Sequence, residues 1–181
     1  MPLVIRDAED EDAVQGCEVL RRSIAELCVD DHKGDPEILG KWLGNKTPDI
    51  FRAWITQPGN NLLVAIDSER VVAVGSVADD GQITLNYVSP DARFRGISKS
   101  LLAALEYRAA SRGCASCTLN STETARRFYL AQGYTEVGKP SGHFSTSLGY
   151  PMSKSLRAIG YQPSALSHER QNSHRAQQDH S

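Results

Sequence analysis

The chain has 181 residues, of which 40% are hydrophobic and 23% charged, a composition that fits one globular domain with a buried core. Its formal charge of -2 argues against a nucleic-acid binder or an anionic-membrane patch, both of which need a basic face. The opening "MPLVIRDAEDED" lacks the basic flank and long apolar stretch of a leader, and no apolar run approaches a bilayer span, so a cytoplasmic protein without membrane contact is expected.

Of the four cysteines, Cys114 and Cys117 form a CxxC. They lie in a stretch that reads as a strand, with no second pair, and Cys17 and Cys28 belong to a separate helical pattern. All four are expected to be buried and reduced. Asn45 and Asn120 begin sequons, which carry no chemistry in an unsecreted chain.

A short strand is expected near Leu3 to Arg6. Ala13, Cys17, Leu20, Ile24 and Leu27 then mark one apolar helix face, with Asp7 or Asp10 as its cap. Two further helices open with Asp35-Pro36 and Thr47-Pro48, a capping side chain followed by proline at the first helical position. The period then shortens: "NLLVAID" and "RVVAVGSVA" form a hairpin around Ser68 and Glu69, and "DDG" turns into a third antiparallel strand, "QITLNYV". In that strand Thr84, Asn86 and Val88 share one face, and Ile83, Leu85 and Tyr87 the other.

A helix with Ile97, Leu101, Leu105 and Ala109 follows and stops at Gly113, then come the strand "ASCTLN", the helix "TETARRFYLAQG", and the strands "YTEVG" and "SLGYPMSKSL". From about Arg157 the chain turns polar and loses periodicity. We therefore divide it into a domain over 1–156 and a disordered tail over 157–181, where His168, His174 and His180 lack a metal-site spacing and no metal is expected.

At the joint between the third antiparallel strand and the long helix stands "RFRGIS", Arg93 to Ser98. A helix starting at Ile97 leaves its first amides unpaired and presents its positive dipole end, Gly96 permits close approach, and Arg93 and Arg95 add charge, which together suit a diphosphate. A nucleotide-triphosphate loop would need glycines at Arg93 and Ser98. A dinucleotide loop would need three glycines in a parallel βαβ setting.

The longer pattern "VSPDARFRGISKSLLAALE", followed about thirty residues later by "STETARRFYLAQGY", resembles the GNAT-type N-acetyltransferases. Five of the six loop positions conform to that family's pattern; Ser98 replaces a glycine or alanine. The resemblance runs from about Leu3 to Leu156. It implies an α+β fold whose central mixed, mostly antiparallel sheet of about seven strands splays between the fourth and fifth and is flanked by helices.

The resemblance further implies direct transfer of an acetyl group from acetyl-CoA to a primary amine of a small molecule or peptide. Tyr87 and Val88 would bind the pantetheine arm, the backbone from Arg93 through Phe94, Arg95, Gly96 and Ile97 to Ser98 the pyrophosphate, with Asn120 and Thr122 close by. Tyr129 would be the acid that protonates the departing thiolate. The general base is open, because the strand position that holds a glutamate in some relatives is Gln82; Asp79, Asp80, His143 or a water are candidates.

The acceptor site is expected between about Cys28 and Lys33 and between His143 and Tyr150. There Glu26, Asp30 and Asp31 suit a cationic amine or a solvated face equally. A homodimer is compatible with this reading. Two alternatives stand beside it: a non-catalytic acyl-CoA-binding sensor or interaction module, and a protein N-terminal acetyltransferase.

Overall fold

The computed structural model describes residues 2–143 and 147–156. It begins with β1 (Val4–Asp7), a 3-10 turn over Asp10–Asp12, and α1 (Ala13–Arg22). The cap is neither Asp7 nor Asp10. Asp12 is the N-cap residue of α1, and Glu9 that of the 3-10 turn before it; Asp12 accepts the Glu9 N–H at 2.8 Å and N–H groups of both Arg6 terminal nitrogens at 2.7 and 3.0 Å, so a reciprocal box at the turn replaces a single capping side chain on the helix.

The apolar face of Ala13, Cys17, Leu20 and Ile24 is buried as the spacing predicts. The helix does not run through evenly, because Ser23–Leu27 forms a π turn, a widening that shifts Leu27 toward the cleft described below. Next come α2 (Val29–His32), α3 (Pro36–Leu43) and α4 (Pro48–Thr56). Asp35 caps α3 by accepting the N–H groups of Glu37 and Ile38, and Thr47 caps α4 by accepting that of Ile50.

The first sheet is an antiparallel meander ordered β1-β2-β3-β4, with β2 at Asn60–Asp67, β3 at Arg70–Ala78 and β4 at Ile83–Val88. Ser68 and Glu69 turn the β2–β3 hairpin with φ of 49° and 65°, the left-handed pair whose twist matches the strands. Behind β4, α5 (Ile97–Ser111) lies across the sheet with Leu101, Leu102 and Leu105 buried. Gly75 lets it approach β3, since a Cβ there would stand 2.9 Å from Leu105 Cδ1 and 3.0 Å from Leu101 Cγ.

The remaining elements are β5 (Ser116–Ser121), α6 (Glu123–Ala131), β6 (Thr135–Glu136), β7 (Ser141–His143) and β8 (Ser147–Ser155). They form a second antiparallel sheet, β5-β8-β6, with β7 on β8. The short β7 raises the strand count above the expected seven. One core cluster joins α5 to both sheets through Leu63, Val77, Leu119 and Met152; a second lies on the other face of the first sheet, where Phe51 and Leu20 meet Val64 and Val74.

β4 and β5 meet at one place. A parallel bridge links Gln82 and Thr118, and Thr118 N–H donates to Gly81 O at 3.1 Å. Gly81 has a φ of 89°, and a Cβ on it would stand 2.5 Å from Ser116 O, so only glycine permits this contact. Toward Val88 the strands part, which is the splay that the family resemblance implies.

Cys17, Cys28 and Cys117 are buried, Cys114 is half-buried, and none is in a disulfide. Among the described residues no helix is long and apolar enough to cross a membrane, and no cluster suits a metal ion. His168, His174, His180 and the whole tail lie outside the described residues.

Candidate active site between the splayed strands

Where β4 and β5 part, the sheet opens into a cleft of about 380 Å³. One wall is β4 from Ile83 to Val88, the other is Leu119, Asn120 and Thr122, and the mouth is the loop before α5. An open strand edge exposes unpaired backbone donors and acceptors, so an extended amide chain laid there would pair as a strand does.

At the mouth, Gly96 is the N-cap residue of α5 with a φ of 75°, and nothing lies within 4 Å of where its Cβ would be. No side chain caps this helix end, and its first turn holds no acidic residue. The first amides of a fifteen-residue helix thus face the cleft free to bind an anion. Ile97 anchors the turn in the core, whereas Ser98 and Lys99 line the mouth.

Arg93 and Phe94 also line it, and the Arg93 guanidinium stacks over the Phe94 ring at 4.6 Å. Phe94 is 93% exposed and adopts a φ of 60°, a left-handed conformation unusual for so large a side chain. Arg95 turns the other way: its guanidinium pairs with Asp67 at 2.7 Å, which ties the loop to the β2–β3 hairpin and holds the Asp67 carboxyl below its usual range. It does not line the cleft.

Deeper in, α6 presents Tyr129, 7% exposed, with its ring edge-on to Phe128 at 5.1 Å and Tyr134 at 5.6 Å. Burial pushes the Tyr129 phenol up to about 12, and the polar Asn86 side chain opposes that shift. Asn86 stands on β4 across the cleft from Tyr129. Tyr87, its neighbour, packs toward Ile24, Cys28 and Trp42, and burial raises its phenol strongly.

Thr122 is the N-cap of α6 and accepts the Ala125 N–H at 3.1 Å, while Asn120 and Thr122 both touch the cleft. The same helix start is held from the other side by Asp31, a buried carboxylate on α2. It accepts the Glu123 N–H at 2.8 Å, the Thr124 N–H at 3.3 Å and the Thr124 hydroxyl at 2.5 Å. Asp31 is therefore committed to α6, and Glu26 is paired with Arg22 at 2.8 Å.

The base candidates stand apart from this cleft. Asp79 lies at the far end of β4, bonded to Asn61 at 3.0 Å and paired with Arg112 at 3.3 Å, and Asp80 caps the same turn by accepting the Gln82 N–H at 2.9 Å. Neither Gln82 nor these carboxylates line the cleft, and the His143 side chain lies outside the described residues. Cys28, where the expected acceptor region begins, does line it, as do Ser23 and Leu27, which were not singled out as site residues: Leu27 read as helix core, and both lie in a π turn that leaves no local signature.

The chain resembles several solved structures. A GCN5-related N-acetyltransferase from Rhodopseudomonas palustris, also described as a class-II aminotransferase, shares 25% identity with a TM-score of 0.74, over 86% of this chain and 96% of that one. A PaiA N-acetyltransferase from Thermoplasma acidophilum in complex with coenzyme A shares 20% identity with a TM-score of 0.71, over 86% of this chain and 99% of that one. The ribosomal-protein-S18-alanine N-acetyltransferase of Escherichia coli, at 15% identity and a TM-score of 0.62 over 86% of this chain and 94% of that one, shares the fold. No curated protein sequence matches significantly. Residues 29–156 match the model of the acetyltransferase (GNAT) domain, and with the splayed sheet and uncapped helix described above, this places the chain in the GNAT acetyltransferase family.

Proposed function

We propose that this protein transfers an acetyl group from acetyl-CoA to a primary amine, with both substrates bound together in the cleft. The observation that carries the reading is the uncapped start of α5 at Gly96, opening into a strand-wide gap that holds the Tyr129 hydroxyl at depth. The amides of Gly96 to Ser98, with Arg93 and Lys99, suit the pyrophosphate; the free edge of β4 at Tyr87 and Val88 suits the amides of the pantetheine arm. Asn120 and Thr122 would meet that arm from the opposite wall, and Phe94 would border the outer part of the cofactor. Arg95 would contribute its backbone amide, since its side chain is held by Asp67.

In the transfer, the amine lone pair attacks the thioester carbonyl, a C–N bond forms and the C–S bond breaks. A β4 amide near Val88 would donate to the oxygen as it gains charge. Tyr129 gives its proton to the departing sulfur, and the amine's surplus proton restores the phenol by way of solvent. Burial keeps Tyr129 protonated at neutral pH, as an acid must be.

Thiol release from acetyl-CoA in the presence of a primary amine tests the proposal. Tyr129→Phe should lower turnover about 100-fold or more, in the range of lost general-acid catalysis, while CoA affinity changes little. Thermal stabilisation by CoA with no thiol release from any amine or N-terminal peptide would instead leave a binding module.

A further inference from the structure

Among the described residues that line the cleft there is no aspartate, glutamate or histidine. Of the carboxylates on the flanking elements, Glu26 and Asp91 share the Arg22 guanidinium at 2.8 and 2.6 Å, Asp31 holds the start of α6, and Asp30 and Glu123 are exposed and do not line the cleft. The apolar part of the lining includes Leu27, Cys28, Leu85 and Phe128, the last in edge contact with Tyr129. Among the described residues of the cleft, an acceptor that arrived as an ammonium ion would find no acidic or histidine side chain to counter its charge or take its proton.

The cleft does hold one buried side-chain oxygen with no hydrogen-bond partner among the described residues, Asn86 Oδ1. A buried carbonyl oxygen left unpaired is costly, and such an atom facing a substrate cleft marks where a donor is meant to sit. Tyr129 lines the same cleft, and Asn86 acts on its phenol by opposing the upward shift that burial causes. The cleft therefore holds, on β4, a carboxamide whose buried oxygen lacks a donor, in the same lining as the candidate acid Tyr129.

We infer that Asn86 positions the acceptor, its Oδ1 receiving an N–H of a neutral amine in the cleft that Tyr129 also lines, and that the site selects weakly basic amines on an apolar body over polycations. This rests on the acetyltransferase reading and names its substrate class. A carboxamide oxygen orients a neutral amine as well as a carboxylate does, but it supplies no charge with which to draw in an ammonium. At about pH 7.4, roughly one in a thousand molecules of an amine with a lysine-like pKa of ~10.4 is neutral, against about a third for an α-amino group with a pKa of ~7.7. With no acidic or histidine side chain among the described lining residues to remove the proton, that ratio passes into the rate.

The test uses the full chain with acetyl-CoA and thiol detection, and three acceptors: phenylalanine amide, benzylamine and spermidine. Phenylalanine amide should be used best and spermidine at least about tenfold less well in kcat/KM, with benzylamine between because it is apolar but strongly basic. Asn86→Leu should raise the acceptor KM about tenfold or more and leave CoA affinity, measured by calorimetry, within about twofold. Asn86→Asp puts a carboxylate where the open acceptor now stands and should shift the preference toward spermidine at least about tenfold. If Asn86→Leu does not fold, Asn86→Ser serves, with the same split between acceptor KM and CoA affinity.

Spermidine preferred by the native chain, or an Asn86→Asp variant with unchanged preference, would overturn this inference and leave acetyl transfer standing. CoA binding without thiol release from any of the three amines would overturn both.

Discussion

Asp31→Ala isolates the contact that joins the acceptor side of the cleft to the helix carrying Tyr129. The side chain is 6% exposed and accepts three hydrogen bonds at the start of α6, from Glu123 N, Thr124 N and Thr124 Oγ1. Hydrogen bonds to a charged group are worth about 1.5–3 kcal/mol each, and a carboxylate at a helix start adds about 0.3–1 kcal/mol. Glu123 and Thr124 are themselves exposed, so water recovers part of this, and Thr122 still caps the Ala125 amide. We expect a loss of about 3 kcal/mol, which in a chain of this size lowers Tm by roughly 6–12 °C.

Asp31→Asn keeps an acceptor but not the charge and should lose about half as much, whereas the exposed neighbour Asp30→Asn should stay within about 0.5 kcal/mol. Differential scanning calorimetry and chemical denaturation measure both. An Asp31→Ala melt within about 2 °C of the native one would refute the reasoning, because it would mean that the buried carboxylate contributes no more than a surface charge.

Other predictions follow from the same physics. Burial alone would raise the Asp12 carboxyl, but hydrogen bonds from Arg6 and from the Glu9 N–H hold it below its usual value of 3.8; its contribution is therefore full above that pH and is lost as pH falls through the lower folded value. Asp12→Asn should be destabilised at pH 7 and converge on the native chain in acid, as read by urea melts across the range. Gly75→Ala should cost about 1–3 kcal/mol by overpacking, since its Cβ would meet Leu105 Cδ1 at 2.9 Å; a neutral melt would mean that α5 moves off freely. Burial pushes the Cys28 and Cys117 thiols up to about 12 and also raises Cys17, so a thiolate-selective reagent near neutral pH should label Cys114 first. Mass spectrometry of labelled peptides would reveal any other order.

What the sequence disclosed is what local chemistry dictates. Asp35-Pro36 and Thr47-Pro48 cap their helices with their own side chains, and Ser68-Glu69 turns a hairpin, because each signal lies within a few residues of its effect. The cleft mouth was legible for the same reason, as Gly96 and the start of α5 are adjacent in the chain. Relations across the fold were not: Asp31 meets Thr124 more than ninety residues away, and Arg95 finds Asp67 across 28 residues, so its charge serves the hairpin rather than the cleft. Alternation grouped Ile83 with Leu85 and Tyr87, but a register shift against β3 sends Ile83 into the α5 core while Leu85 and Tyr87 pack against the other cluster, and the significance of Asn86 depends on Tyr129 arriving from another element. Widening of α1 into a π turn changes which atoms pair, not which residues repeat, so periodicity is blind to it.

The parting of β4 from β5 also bears on how the chain avoids its own kind. Two facing strand borders with unspent backbone groups invite a loose segment from another molecule to slot in, the first step of edge-to-edge aggregation. The pinch at Gly81 closes one end of that slot and the α5 mouth narrows the other. A long, amide-bearing ligand lodged between them would act as a plug as well as a reactant, so the chain should be most prone to cluster when stripped of it.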